Sequence, residues 1–420
     1  YHFITSYHMT IKELNDRLSK NNKKFNYISP RDFLDFTIHF TNLLIEKSDE
    51  LSEQQEQINK GLHKIIKTEI MLNELKEKEV ELKKKQKETH IKIKEFYEKQ
   101  LLKVEKMNIG KLKINYEKLV IEQSYIKSRI DEIKIKLERC KNLVFKLRNE
   151  KERWGQQMIK LRDQINNLLG DTFLSSAFLA YFGFYDLFYR KYLKDKLKEI
   201  LKKNGILFSN DLDEVECLIK AYDKVKWLNC KLPNDHFYLE NVTILQRLKR
   251  YPLIIDPEGQ SIEFIELFYI SKKLIKISFT NNKFMKILEN ALRYGYTILI
   301  QDVQKIDPIM DSIFNKEFLK INDRNLISLG DQVINFLGTF NMLMITRDSA
   351  YNFTPDLCSR VTFLNFSITQ SSLQNKILDI LLRNERPNVY KVKENLVKKQ
   401  IEYKQILRQL EEDLLITLNS

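Results

Sequence analysis

Residues 119–168 read LVIEQSYIKSRIDEIKIKLERCKNLVFKLRNEKERWGQQMIKLRDQINNL. Leu119, Ile126, Ile130, Ile133, Leu137, Cys140, Val144, Leu147, Trp154, Met158, Leu161, Ile165 and Leu168 follow one another at spacings of three, four or seven. On a helix of 3.6 residues per turn such a series forms one continuous apolar stripe, the seam of a coiled coil. Ile126, Ile130, Ile133, Leu137, Val144, Leu147, Trp154, Met158, Leu161 and Ile165 are its core, with Lys151 the main interruption. Gly170 follows and reads as the C-terminal signal of this helix.

A second heptad series lies upstream, at Leu44, Leu51, Ile58, Ile65 and Leu72. Its companion core position is poorly filled. One register offers Gln54, Gly61 and Thr68, and the other Ser48, Gln55, Leu62 and Glu69, so the register of this arm is under-specified. The pattern breaks near Met107-Asn108-Ile109-Gly110. Arms 44–107 and 111–168 are therefore nearly equal, roughly 96 and 87 Å at about 1.5 Å per residue. Matched arms around a turn near 108–111 predict an antiparallel hairpin over 41–168. A parallel dimer is the competing arrangement and would not need two matched arms.

Working outward, no proline occurs between Pro30 and Pro233, which points to long helices. Ser29-Pro30-Arg31-Asp32 is a helix start, with Ser as cap and Pro as first helical residue. The run 173–185, FLSSAFLAYFGFY, is too short to span a bilayer and reads as a buried core helix. Beyond it come helical stretches near 172–204 and 211–221, then short apolar runs at 251–255, 274–279, 297–300, 342–345 and 361–366. Helical segments 284–294 and 371–383 alternate with these runs, which predicts a parallel sheet flanked by helices. After Pro387 a charged amphipathic helix over 389–418 carries Leu396, Ile401, Ile406, Leu410 and Leu414 on or near one face. The fold class is thus an α/β module with a long antiparallel coiled-coil hairpin and a second helical arm, predominantly α overall.

The 420 residues carry 71 Lys plus Arg and 57 Asp plus Glu, a formal charge of +14. Residues 81–130 hold 14 basic and 7 acidic side chains, whereas 41–80 hold 6 and 9. Half of the net charge therefore surrounds the turn. A surface for an acidic partner and a lysine-rich solvated helix face both fit that block. Only 10 Gly and 7 Pro exclude a collagen-like or linker-rich chain. Cys140, Cys217, Cys230 and Cys358 show no zinc spacing, and a buried, reduced role is expected for most of them, which favours an intracellular compartment. The chain opens on Tyr1 and is expected to be a piece of something longer.

An α/β module invites a search for a nucleotide site. No G-x-x-x-x-G-K-S/T occurs, so the glycine nest and lysine that cradle phosphates are missing. Asp256-Pro257-Glu258-Gly259-Gln260 puts carboxylates where they would stand. Thr297–Ile300 with Gln301-Asp302 lacks the acidic pair of a magnesium site, and Asp302 reads as a surface carboxylate. ATP hydrolysis by this chain is not expected. His2, His8, His39, His63, His90 and His236 have no partner at metal or triad spacing, so no catalytic, cofactor-binding or metal residue is assigned. Arg360, ahead of the last strand, could project to a neighbouring module as an arginine finger. A structural surface arginine is the alternative.

In this order the parts resemble a dynein heavy chain of the cytoplasmic type. Tyr27-Ile28-Ser29-Pro30-Arg31-Asp32-Phe33-Leu34-Asp35-Phe36 is similar to the family's entry into the stalk, and it continues with Glu46-Lys47, Leu51, Glu53-Gln54-Gln55 and Asn59-Lys60-Gly61-Leu62. Glu150-Lys151-Glu152-Arg153-Trp154 resembles the return arm. Gly170-Asp171 with Ala177-Phe178-Leu179-Ala180-Tyr181-Phe182-Gly183 resembles the start of the fifth AAA+ module. Ile255-Asp256-Pro257-Glu258-Gly259-Gln260, Leu299-Ile300-Gln301-Asp302-Val303-Gln304 and Asn315-Lys316 are similar to its later signatures. Arg383-Asn384-Glu385-Arg386-Pro387 precedes an arm like the strut.

The resemblance implies the following layout: 1–40 as the helical end of the fourth AAA+ module, 41–168 as stalk, 169–387 as a module without phosphate loop, and 388–420 as first strut helix. It implies a force-transmitting part of a minus-end-directed, cytoplasmic and cytoskeletal microtubule motor. The stalk relays nucleotide state by a register shift and the strut braces its base. ATP and magnesium belong to other modules of the parent, and none is bound by this segment. Expected partners are those modules and dynein subunits, with no membrane. The family's stalk is longer and ends in a globular microtubule-binding domain. Here only about fifty residues, proline-free, lie between clearly coiled segments near the turn, so the tip domain is expected to be absent, deleted or extremely reduced and any microtubule contact indirect. The alternative reading is a stand-alone scaffold whose basic hairpin binds an acidic partner such as nucleic acid.

Overall fold

A computed structural model describes residues 2–20, 26–102, 109–233, 235–303, 306–321, 324–330, 332–348 and 353–419. Helices α1 (His2–Lys20), α2 (Pro30–Leu102) and α3 (Ile109–Tyr181) lead into α4 (Leu187–Lys203), α5 (Glu214–Leu218), α6 (Ala221–Asn229) and α7 (His236–Arg247). The α/β portion runs β1 (Pro252–Ile255), α8 (Gln260–Phe268), β2 (Leu274–Ser278), α9 (Phe284–Tyr294), β3 (Thr297–Gln301) and α10 (Asp311–Asn315). It continues with β4 (Phe318–Ile321), β5 (Arg324–Leu329), β6 (Gln332–Asn335), β7 (Asn341–Thr346), α11 (Pro355–Arg360) and β8 (Thr362–Asn365). Helices α12 (Gln370–Glu385) and α13 (Pro387–Asn419) follow.

The chain divides into two compact units. One comprises 1–49 with 164–408, and the other 50–163 with 409–420. In the first, five parallel strands lie in the order β2-β3-β7-β1-β8. The central strands are buried on both sides, as parallel sheets demand. Their side chains alternate between two cores with period two. Ile254, Leu299, Leu343, Ile345 and Leu364 enter one core, with α7, α8 and the last turns of α3. Leu253, Ile255, Ile298, Ile300, Met342, Met344 and Phe363 enter the other, with α9, α10 and α11. All five strands coincide with apolar runs read in the sequence. The antiparallel sheet β4-β5-β6 between α10 and β7 was not anticipated.

One helix boundary corrects the sequence reading, and one agrees with it. Gly170 does not end α3, which continues to Tyr181. A Cβ there would lie 2.2 Å from the Leu207 carbonyl oxygen and 2.6 Å from Phe208 Cβ. Gly170 is thus a close-approach residue rather than a cap. The start of α2 at Pro30 agrees, but its cap runs the other way. The Asp32 carboxylate accepts from the Ser29 backbone N–H (2.7 Å) and hydroxyl (2.9 Å), so the third helical residue reaches back to the cap position. Phe173, Leu174, Ala177, Phe178 and Leu179 are buried, as the apolar run 173–185 predicts. Of the four free cysteines only Cys358 is fully buried and the others are half-buried, fewer than expected.

In the second unit α2 and α3 run antiparallel. Lys151 of α3 meets Glu69 of α2, and further out Gln123 meets His90 (3.3 Å), so numbers fall on one arm as they rise on the other. Residues 103–108, where the predicted turn begins, lie outside the described residues; 109–111 already belong to α3. Residues 50–102 and 109–163 are helical throughout.

Candidate functional site

Three features of these elements bear on function: the hairpin seam, the anchorage of its arms, and the crevice at the carboxyl ends of the parallel strands. In the seam, Ile126, Ile130, Leu137, Leu147, Trp154 and Leu161 are buried, and Ile133, Val144 and Met158 are half-buried. Ile165, in the first unit, is half-buried as well. Ile58, Ile65, Leu147, Trp154 and Leu161 make one cluster, with Leu51, Leu62, Met158 and Leu414 packed against it.

On α2 the two registers separate along the helix. Gln54 and Gln55 are both half-buried, as are Thr68 and Glu69, while Gly61 is buried beside half-buried Leu62. Beyond Leu72 only one register persists. Leu75, Leu82 and Thr89 face inward, and Lys76, Lys83 and His90 are exposed. The ambiguity read from the sequence is therefore confined to positions 54–69. Lys151, the interruption of the other seam, faces that stretch. Its ammonium donates to both Glu69 carboxylate oxygens at 2.8 and 2.7 Å.

The anchorage involves residues that no spacing revealed. Arg250, buried between α7 and β1, donates to Asp32 and lies 2.7 Å by its Nε from Asp35, both on the first turns of α2. Three turns beyond Asp35, Arg247 holds Glu46 by two parallel bonds of 2.7 and 2.9 Å. Such forked pairs fix geometry as well as charge. His39, buried on the same stretch, is pushed down to about 4 by burial and by nearby Lys249, so it is neutral at physiological pH. Edge-on contacts among Tyr7, Phe36, Phe173 and Tyr181 tie the start of α2, the end of α3 and α1 together. A second buried arginine, Arg190 of α4, stacks over Phe237 and donates to Glu240 (2.6 Å) and Asn241 (2.5 Å). Asn241 donates in turn to the Asn365 carbonyl at the end of β8 (2.6 Å).

Open parallel sheets bind ligands outside the carboxyl ends of their strands. Here the start of α8, just beyond β1, is filled from within the chain. Asp256, directly after β1, is fully buried. One of its oxygens accepts the Gln260 N–H at 3.1 Å. The other accepts the Ser261 N–H at 2.7 Å and hydroxyl at 2.5 Å. Pro257, Glu258, Gly259, Ile262, Glu263, Glu266 and Arg347 line an adjacent depression of about 350 Å³. Three carboxylates and one guanidinium make it hostile to a polyanion, and Arg347 already faces Asp302 at 3.6 Å. Asp302 is exposed, as expected of a surface carboxylate.

Arg360, at the end of α11, is engaged by Asp311 and, at 2.8 Å, by Asp356 of its own chain. Among the described residues no group of three or more His, Cys, Asp or Glu could hold a metal, and no helix is long and apolar enough to cross a membrane.

Residues 67–200 match the family model of the microtubule-binding stalk of the dynein motor, and residues 225–420 match that of the ATP-binding dynein motor region. The chain belongs to the dynein heavy chain family. It is 42% identical over 295 residues to dynein heavy chain-like protein 1 of Plasmodium falciparum, an alignment covering 70% of this chain and 6% of that protein. It is 43% identical over 298 residues to the cytoplasmic dynein heavy chain of Dictyostelium discoideum, covering 71% and 6%. The Saccharomyces cerevisiae cytoplasmic heavy chain is 30% identical over 296 residues, covering 70% and 7%. This dynein segment thus spans about 6% of the length of the first two relatives. Its hairpin falls largely within the stalk match, and its sheet wholly within the motor-region match. The second model's description speaks of ATP, but the described residues do not fit a nucleotide's phosphates: Asp256 takes up the N–H groups at the start of α8, and among the described residues no lysine lines the depression.

Proposed function

We propose that this chain is the force-transmitting segment of a minus-end-directed microtubule motor, with a coiled-coil stalk and an α/β module that completes the ring without hydrolysing ATP. The observation that carries the reading is the anchorage of α2. Its first five turns are gripped by Arg250 and Arg247, and the same helix runs on without a break to Leu102.

Residues 1–40 then close the preceding module and 388–420 begin the strut. Leu414 of α13, packed against the seam cluster of Ile58, Ile65 and Trp154, supports a bracing role for that helix. The relay is a shift of register between arms, centred on 54–69, where two core positions compete. ATP and magnesium act in other modules of the parent, and the partners are those modules, dynein subunits and the microtubule, in the cytoplasmic cytoskeleton. With six residues between α2 and α3, the microtubule is reached indirectly. For Arg360, the pairing with Asp311 and Asp356 favours a structural arginine over a finger to a neighbour.

Cysteine pairs test the relay. With native cysteines replaced by serine, Glu69→Cys is combined with Lys151→Cys for the observed register, or with Leu147→Cys or Gly155→Cys for offsets of one turn. Closure of the first pair together with an offset pair supports sliding. Closure of the first alone, under every condition, overturns it. Co-sedimentation with microtubules and with DNA at two salt concentrations separates the motor from the scaffold reading, because DNA binding alone with steep salt dependence would favour the scaffold.

A further inference from the structure

The filled start of α8 has a positive physical content. A helix that starts just after a central parallel strand presents free N–H groups and the positive end of its dipole, and these attract an anion. Helix α8 is placed in that way after β1, the strand between β7 and β8. Asp256 meets the demand from within the chain. Its carboxylate is fully buried, binds three donors from Gln260 and Ser261, and its own N–H is bonded to the Thr346 carbonyl (2.9 Å) on the neighbouring strand. Gln260, the first residue of α8, also accepts the Tyr238 hydroxyl of α7 at 3.0 Å. One residue therefore joins β1 and α8 by its carboxylate and β7 by its backbone N–H, and through Gln260 reaches α7.

We propose that Asp256 is a resident anion. It occupies the position a ligand phosphate would take at α8 and keeps the module permanently in its anion-filled state, indifferent to nucleotide. This rests on the reading of the module as a non-hydrolysing part of the ring and adds the group that makes it so. It differs from simple loss of a binding loop, which would leave the N–H groups of α8 open to solvent anions.

Chemical rescue distinguishes the two. Asp256→Ala removes a group the size of formate. In the full chain carrying Trp154→Phe, buried Trp227 reports on the core that also holds Phe264 and Ile265 of α8. Asp256→Ala should lower the thermal midpoint seen by Trp227 by several degrees. Sodium formate and sodium phosphate should restore part of the loss in a saturable way, where chloride at equal ionic strength does not. The parent with Asp256 intact should show no anion-specific gain. Equal responses to all three salts, or the same gain in parent and variant, would overturn the proposal. Should Asp256→Ala not fold, the parent alone decides. Titration with inorganic pyrophosphate and with magnesium ATP should give no saturable shift at millimolar concentration, and a saturable shift would sink the idea. Either result leaves the cross-linking test of the stalk untouched, so failure here is distinct from failure of the motor reading.

Discussion

Lys151 on α3 holds Glu69 on α2 across the hairpin, its Nζ 2.7 and 2.8 Å from the two carboxylate oxygens. Both side chains are about one-third exposed, so the pair contributes modestly and is weakened by salt. It nevertheless marks a register, because Lys151 sits at a core position and Glu69 at one of two competing ones. Glu69→Lys should destabilise the seam, and adding Lys151→Glu should restore it. A double-mutant cycle followed by Trp154 fluorescence, in a Trp227→Phe background, should give a coupling of about 0.5–1 kcal/mol that shrinks in high salt.

Arg250 is the opposite case, a buried cation between Asp32 and Asp35. Removing it deprives buried Asp32 of its ion-pair partner and half-buried Asp35 of its nearest cation. Arg250→Met should cost about 3–5 kcal/mol in thermal or urea unfolding. Asp35→Asn, which keeps Asp32 as partner, should cost clearly less. Equal small effects would show that the clamp carries no weight.

His236 lies between Glu240 at 3.2 Å and Asp213 at 3.3 Å. The bond to Glu240, against some burial, and then Asp213 raise its pKa to about 9. Its folded value exceeds its unfolded one, so its stabilisation is fully present below about pH 6.5. That stabilisation fades as pH rises through about 9. With the ring half-exposed, His236→Gln should cost no more than about 1 kcal/mol at pH 6 after solvent screening and nothing measurable above pH 10. Unfolding of both forms across that range checks the sign, and an NMR titration of the imidazole checks the midpoint.

Two glycines in α3 should respond oppositely to alanine. Gly155→Ala meets nothing within 4 Å and should stabilise the helix by up to about 1 kcal/mol. Gly170→Ala would push Cβ into the Leu207 carbonyl and Phe208, and should cost about 1–3 kcal/mol. Parallel thermal melts of the two variants decide this.

The contrast between these glycines shows what the sequence could disclose. Seam and strands were legible because burial marks them, by a period of 3.5 on the hairpin and by continuous apolar runs in the doubly covered parallel sheet. Gly170 was misread because a glycine that closes a helix and one that admits a neighbouring backbone look alike in one dimension. The pairs Arg250–Asp32 and Arg247–Glu46 join positions about two hundred apart, and no local pattern announces them. Carboxylates were expected at 256–258, but that Asp256 turns inward to cap α8 depends on the turn geometry. The sheet β4–β6 was missed because its short strands carry exposed Leu319 and Val333, which blur the alternation.

Helix α3 passes through Gly170 into the buried aromatic core with no joint, and α2 leaves its arginine clamps in the same unbroken way. Near its root, over 30–49, α2 has no turn in its backbone to lend it axial slack. On the proposed relay, a slide of half a heptad, about 5 Å, would break the Arg250 and Arg247 contacts if it reached that stretch. Those two arginines would then act as a detent, holding the root of the helix until the force on it exceeds what the clamps bear.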